Sequence, residues 1–370
     1  MSGIYVHIPF CLQKCNYCDF YSEDDKNYLI NDYFEAIIME LKNYKSKFTK
    51  LFDTLYIGGG TPTSVSEKFL DYVFSGIFSI YPKKNFKEIT IEANPETINE
   101  KKAKVISLNA TRVSIGAQSF NDDFLKLLNR IHNSETIKKA VSFLRQCEIN
   151  NVNIDVMLGI PGQTKQDVYY DICRAVDLKP QHVSFYILTP YDGTEFKKKY
   201  GNKMPDDSLI EEMYLSGAAL LQKNGFMQYE ISNFSIPGKE CIHNLNYWNI
   251  GEYTGIGASA SSCFNGKRYT NVKSIEGYVE KIRKNESPAD FEEKYTEDKK
   301  IKDYIMLKLR TTEGIKYGSF IEKFGFDFRG KYSNIIDKFR KTVYVIETKD
   351  GLSLTPKGFL VSNRILQEFM

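Results

Sequence analysis

The chain has little tryptophan or histidine: one Trp and four His in 370 residues. Seven Cys are present, but Cys147, Cys173, Cys241 and Cys263 are scattered singly, which gives no disulfide framework. No run approaches the ~18 apolar residues of a membrane span, and low-complexity segments are absent. Charge of one sign is missing too. Fifty Lys and Arg against 47 Asp and Glu leave a net +3, so no overall field draws the chain to nucleic acid or to an anionic membrane. Met1 is followed at once by an apolar run, with no secretory segment between. The expected setting is therefore cytoplasmic and reducing, where thiolates persist.

Against this background three cysteines are crowded together as Cys11-Leu-Gln-Lys-Cys15-Asn-Tyr-Cys18, directly after the apolar stretch at residues 4–8. Structural zinc asks for four ligands, whereas a cubane iron–sulfur cluster has four irons to ligate. Three thiolates thus point to a cluster with one iron left open for chemistry. A zinc knuckle completed by His7 or a distant cysteine is the competing reading.

Short apolar runs at residues 4–8, 54–57, 88–92, 112–116, 152–157 and 182–188 alternate with amphipathic segments. Between the first two, Ile30, Phe34, Ile37, Leu41, Tyr44 and Phe48 recur at helical spacing. Further helices are expected over 66–81, 99–108, 134–147 and 164–178, with Ser134 and Thr164 as N-caps of the last two. Six strands with intervening helices predict an α/β fold with a parallel sheet, doubly wound or a partial barrel. The unusual residues fall at or just past the C-terminal ends of these strands: the cysteine loop, Gly58-Gly59-Gly60-Thr61-Pro62-Thr63, Glu92-Ala-Asn94-Pro95, Gln118, Asp155 and Thr189-Pro190-Tyr191. That edge is where βα folds assemble active sites.

GGGTPT has no Lys, which excludes a P-loop; its bare backbone either holds an amino or carboxylate group or makes a tight turn. Glu92 and Asp155 are placed to bond ribose hydroxyls or an amine, or to cap the helices that follow. Arg130 suits a carboxylate, or is an ordinary surface Arg. His243 stands among aromatics in the segment 240–248, beside Cys241 and the only Trp. It reads either as a haem ligand with flat rings on the macrocycle or as a buried, hydrogen-bonded His, with Cys241 a conceivable second ligand. Beyond residue 200 come a Gly-rich stretch at 251–266, a charged patch at 281–300, and short helices with a hairpin over 343–354. The pattern from 301 to 370 outlines a small winged-helix-like α+β domain. Acidic residues among its lysines favour packing or partner docking over DNA binding.

Taken in order, these motifs resemble one family. YVHIPFCLQKCNYCDF is similar to the radical S-adenosylmethionine signature CxxxCxxC of the coproporphyrinogen dehydrogenase group. GGGTPT, IEANPE, RVSIGAQSF with LLNRIH, and NIDVMLGIPGQT follow as in that group, across essentially the whole chain. The resemblance implies a partial (β/α)6 barrel over 1–200, a barrel-completing region with the haem motif over 201–290 and the winged-helix-like domain over 291–370. It implies that Cys11, Cys15 and Cys18 ligate a [4Fe–4S] cluster, with S-adenosylmethionine on the fourth iron. Tyr5, Tyr17, Gly60, Thr61, Glu92, Gln118, Arg130 and Asp155 would contact that cofactor, and the chemistry would be its one-electron cleavage.

Two branches divide the group. The dehydrogenases carry a longer N-terminal extension and a further cysteine two positions after the third; here that position is Phe20, and the chain begins almost at strand one. The haem-chaperone branch carries CxxxCxxCxF and HNxxYW, and HNLNYW stands at residues 243–248. The expectation is a haem chaperone with His243 as haem ligand and no nucleic-acid partner. It would pass haem to acceptor haem proteins, membrane respiratory enzymes among them, by peripheral contact. Oxidative decarboxylation of coproporphyrinogen III is the alternative.

Overall fold

Each of the six apolar runs is a strand: β1 (Ser2–Ile8), β2 (Thr54–Gly59), β3 (Glu88–Ala93), β4 (Arg112–Gln118), β5 (Val152–Leu158) and β6 (His182–Ile187). They lie side by side in that order and all run parallel, in a computed structural model that describes residues 1–47 and 51–370. Crossover helices α1 (Ile30–Lys47), α2 (Glu67–Ile80), α3 (Glu100–Asn109), α4 (Asp122–Leu127), α5 (Ser134–Gln146) and α6 (Lys165–Asp177) make the partial (β/α)6 barrel. Phe48, the last residue of the expected α1 spacing, lies outside the described residues.

The pleat sends alternate side chains to opposite faces. Val183 and Phe185 join Ile4, Val6, Leu55, Ile57, Ile89 and Ile91 in the core beneath the helices. His182, Ser184 and Tyr186 point the other way, into the lumen. There they meet polar residues of neighbouring strands: His182 Nδ1 lies 2.6 Å from Asn153 Oδ1, and Tyr186 donates to Gln118 Oε1 at 2.6 Å. Asn153 also donates to Ser114, Asp155 and Ser184. The barrel interior is thus a polar network, each member of which needs a partner.

Thr164 caps α6 as expected, with Asp167 closing a reciprocal capping box. Ser134 does not cap α5. Asn133 does, accepting from the Thr136 N–H at 2.9 Å, and Ser134 is the first helical residue.

Beyond β6 the sheet gains β7 (Met227–Gln228) and β8 (Asn233–Ser235) on one edge. On the other edge β9 (Glu252–Ile256) runs parallel to β1, followed by antiparallel β10 (Ser261–Phe264), β11 (Lys267–Asn271) and β12 (Ala289–Lys294). Intervening helices are α7 (Glu195–Tyr200), α8 (Asp207–Lys223), α9 (Ile242–Trp248) and α10 (Ile275–Arg283). After α11 (Glu297–Lys308) comes a three-stranded sheet of β13 (Ile315–Lys316), β14 (Val345–Glu347) and β15 (Gly351–Leu354). The β14–β15 pair is the expected hairpin. This part has its own core around Ile305, Leu309, Phe320, Phe328, Leu352 and Phe359.

Glu40 ties the first helix to the sheet extension. Its buried carboxylate accepts from Gly257 N, Tyr278 Oη and Asn271 Nδ2, and burial pushes its pKa up to about 7. From the ordinary value of 4.5 up to about 7 the folded state keeps a proton that the unfolded chain has lost, so stability falls as pH rises through that window. Unfolding titrations of wild type and Glu40→Gln should show the difference moving in the variant's favour by about 2–3 kcal/mol from pH 5 to pH 8. Parallel pH profiles would refute the buried proton.

Candidate active site

The cysteines sit on a loop that is closed at its neck. Cys11 N–H donates to Glu23 O at 3.0 Å, and Glu23 N–H donates to Pro9 O at 2.7 Å. Farther out the loop is tied to the end of α4 and the segment after it: Asn16 donates to Leu127 O, Gln13 to Asn129 O, and Asn129 back to Lys14 O. Both ends of the loop are therefore fixed with respect to the barrel rim.

A chain of hydrogen bonds links the first two cysteines across that rim. Cys11 Sγ lies 3.5 Å from Thr61 Oγ1, which accepts from Asn94 Nδ2 at 3.0 Å. Asn94 Oδ1 accepts from Arg130 Nη2 at 2.7 Å, and Arg130 Nη1 donates to Cys15 Sγ at 3.3 Å. Arg130 also donates to Gly116 O. Burial opposes the Arg130 charge, but Tyr17, Cys15 and Glu96 around it raise its pKa, so a fixed cation stands beside the thiols. Burial raises the Cys11 pKa against the Thr61 contact, and pushes that of Cys18 up to about 11.

These groups surround one cavity of about 170 Å³ at the C-terminal edge of the strands. It is lined by all three cysteines and by Tyr17, Gly60, Thr61, Glu92, Gln118, Arg130 and Asp155. Gly60 is there because a Cβ would lie 2.9 Å from Phe10 O and 3.0 Å from Cys11 Sγ. Glu92 accepts from Tyr56 Oη and from Gly59 N, and burial pushes its pKa up to about 7. Burial raises that of Asp155 as well. Neither carboxylate caps a helix. Asn94 and Tyr186 complete the walls. In the sequence Asn94 stands out only as part of a strand end, and the one signal at Tyr186 is its alternation with His182 and Ser184.

Among the described residues no three His, Cys, Asp or Glu side chains close round a single metal ion. All three thiols line the one cavity, which suits a cluster with separate irons to attach. His7 cannot complete a zinc site as it stands, because Nδ1 meets Tyr5 Oη at 2.9 Å and Nε2 meets Tyr21 O at 3.0 Å. The donor set fits an iron–sulfur cluster.

A second cavity, of about 710 Å³, lies beyond Phe20, whose side chain is a wall of both. Tyr5, Tyr21, Tyr247, Tyr253 and Tyr295 line it, with Lys14, Lys273 and Arg268. Arg268 is paired with Asp303 and stacks on Tyr295, while Lys14 and Lys273 are exposed, Lys14 Nζ donating to Ser22 O at 3.1 Å. Its size falls within the roughly 300–1,000 Å³ typical of cofactor and ligand pockets.

Residues 5–172 match the Radical SAM superfamily, and residues 295–361 match the HemN C-terminal domain. The fold is that of coproporphyrinogen III oxidase (HemN) from Escherichia coli, with a TM-score of 0.87 over 100% of this chain and 89% of that one at 21% identity. Heme chaperone HemW of Bacillus subtilis is 31% identical over 376 residues, covering 100% of this chain and 99% of its own. Heme chaperone HemW of Escherichia coli is 32% identical over 383 residues, covering 100% and 98%. The chain belongs to the HemW family.

In this HemW-family chain two of the expected site residues do not line the cavity of the cysteines. Tyr5 lines the larger cavity, its ring 6.2 Å from that of Tyr56, which donates to Glu92. His243 is farther still. It lies on α9, which packs under the N-terminal end of the barrel: Ile242 N and His243 N donate to Glu88 at the start of β3, and a Cβ on Gly3 would lie 2.8 Å from His243 Cε1. Five residue steps of β1 separate Gly3 from Ile8 just before the cysteine loop, about 17 Å. Both ring nitrogens are engaged, Nδ1 with Thr54 Oγ1 and Nε2 with Tyr247 Oη, each at 2.8 Å, and the ring has no exposed surface. Burial, aided by Arg112, lowers its pKa to about 3, so the ring is neutral. As arranged, His243 has no free nitrogen to offer iron; it is a core histidine. Cys241 is likewise buried, donating toward Glu88.

Asn94→Ala should break the bonded chain between Cys11 and Cys15. The urea midpoint of the metal-free protein is expected to fall by the equivalent of about 1–3 kcal/mol, with Asn94→Asp recovering part through Arg130. An unchanged midpoint in Asn94→Ala would show that the chain does not hold the rim.

Proposed function

We propose that this chain is a haem-binding chaperone that carries a [4Fe–4S] cluster and S-adenosylmethionine and passes haem to acceptor haem proteins. The observation that carries the haem assignment is the larger cavity: tyrosine rings suit a flat macrocycle, and the exposed Lys14 and Lys273 of its lining suit the carboxylates. The names of the HemW relatives support the same reading.

Cys11, Cys15 and Cys18 would hold the cluster, with Arg130 beside Cys15 offsetting its negative charge. Tyr17, Gly60, Thr61, Glu92, Gln118, Arg130 and Asp155 would hold S-adenosylmethionine, with Tyr5 reaching it from beside Tyr56. When bound, the cluster supplies one-electron chemistry. The chain's own part is orientation. Gly60 leaves backbone bare to a ligand group, Glu92 and Asp155 present carboxylates to an amine or ribose, and the closed loop keeps the thiols at the rim. Among the described residues no helix is long and apolar enough to cross a membrane. The proposed setting is the cytoplasm, with membrane acceptors met by peripheral contact and no nucleic-acid partner.

Anaerobic reconstitution of the full chain with iron and sulfide should give about four irons per chain, lost in Cys15→Ser. Hemin should then produce one Soret-absorbing complex, weakened by Lys14→Glu with Lys273→Glu by about tenfold or more. No uptake by the wild type would reject the haem assignment. Conversion of coproporphyrinogen III to protoporphyrinogen, with S-adenosylmethionine and a reductant, would replace the chaperone reading by the oxidative one.

A further inference from the structure

His243 and Tyr247 are four residues apart on α9 and share one face of the helix. Their contact joins the closed base of the barrel to the wall of the larger cavity. Tyr247 lines that cavity, with its ring edge-on to Tyr253 at 4.6 Å between centroids. Its hydroxyl meets His243 Nε2 at 2.8 Å. His243 in turn is held on every side: Nδ1 meets Thr54, its N–H donates to Glu88, Gly3 leaves no slack beneath it, and Tyr56 lies 5.1 Å away.

A phenol at a cavity wall is free to swing unless its hydroxyl is anchored. Here the anchor is an imidazole that cannot move without displacing β1 and β2. We propose that His243 is a positioning residue, fixing Tyr247 as the lower wall of the haem cavity from beneath rather than ligating iron. This rests on the haem assignment made above for that cavity. The His and the Tyr of HNLNYW then act as one unit, in which the His never enters the cavity and the Tyr is what the ligand meets.

The discriminating experiment titrates hemin into the full chain and into His243→Ala, His243→Gln, Tyr247→Phe and the His243→Ala/Tyr247→Phe double variant. Affinity should fall about tenfold in His243→Ala and in Tyr247→Phe, and no further in the double variant, since both remove one anchor. His243→Gln, which can still bond the phenol, should recover most of the loss. The Soret position and spin state of the bound haem should match the wild type throughout. A changed spin state in His243→Ala, or losses that add in the double variant, would overturn the proposal.

A crystal structure of His243→Ala decides the positioning role without haem. Tyr247 should leave its edge-on place against Tyr253, and an unmoved ring would overturn the proposal. Should the wild type take up no hemin, the haem assignment fails, while the place of Tyr247 in that structure still tests what His243 does.

Discussion

A lumen lined with polar side chains is the constraint on which the rest of the structure depends. The pleat gives each parallel strand one apolar face for the helices and leaves the other for the interior, and in this chain the second face is Tyr56, Glu92, Ser114, Asn153, Asp155, His182 and Tyr186. Polar groups removed from water cost free energy unless they are bonded. At the base they bond to one another and to α9, whose first N–H groups are met by the buried Glu88 carboxylate. At the rim the same kinds of residue face a cavity. One end of the barrel is therefore sealed and the other is available for ligands.

The rim is organised by a single thread of hydrogen bonds from Cys11 through Thr61, Asn94 and Arg130 to Cys15. It takes one residue after β2, one after β3 and one after α4, so three separate connections must be in place before the thiols are. The loop's closed neck then fixes the spacing along the chain, and Arg130 sets the local charge. Phe20, just past the third cysteine, is 72% exposed and lines both cavities. With Phe in that position the loop offers three thiols and one apolar edge.

Much of this was legible in the sequence, for reasons that also mark where legibility stopped. The strands could be read because their apolar faces are continuous enough to stand out, and the cluster cavity because unusual residues ended strand after strand. What depends on a tertiary neighbour could not be read. Asn133 and Ser134 are both good caps, and only the backbone says which side chain reaches the Thr136 N–H. Asn94 looks like a turn residue until Arg130 and Thr61 are seen on either side of it. Tyr5, expected at the cofactor, lines the larger cavity. His243 among aromatics fits a ligand and a core residue equally well, until Thr54 and Tyr247 are found on its two nitrogens.

The two cavities are not independent compartments. Lys14, Asp19, Phe20 and Tyr21 of the cysteine loop form one side of the larger cavity, while Tyr247 and Tyr253 form another. The loop and α9 meet opposite ends of the same strand: β1 carries Gly3 under the His243 ring and, five steps on, Ile8 leading into Pro9 and the closed neck. A displacement of the loop therefore moves a wall of both cavities, whereas a displacement at α9 moves a wall of the larger one only. The cysteine loop bears on the shape of the larger cavity by direct contact through Phe20, with no need for a change transmitted through the barrel.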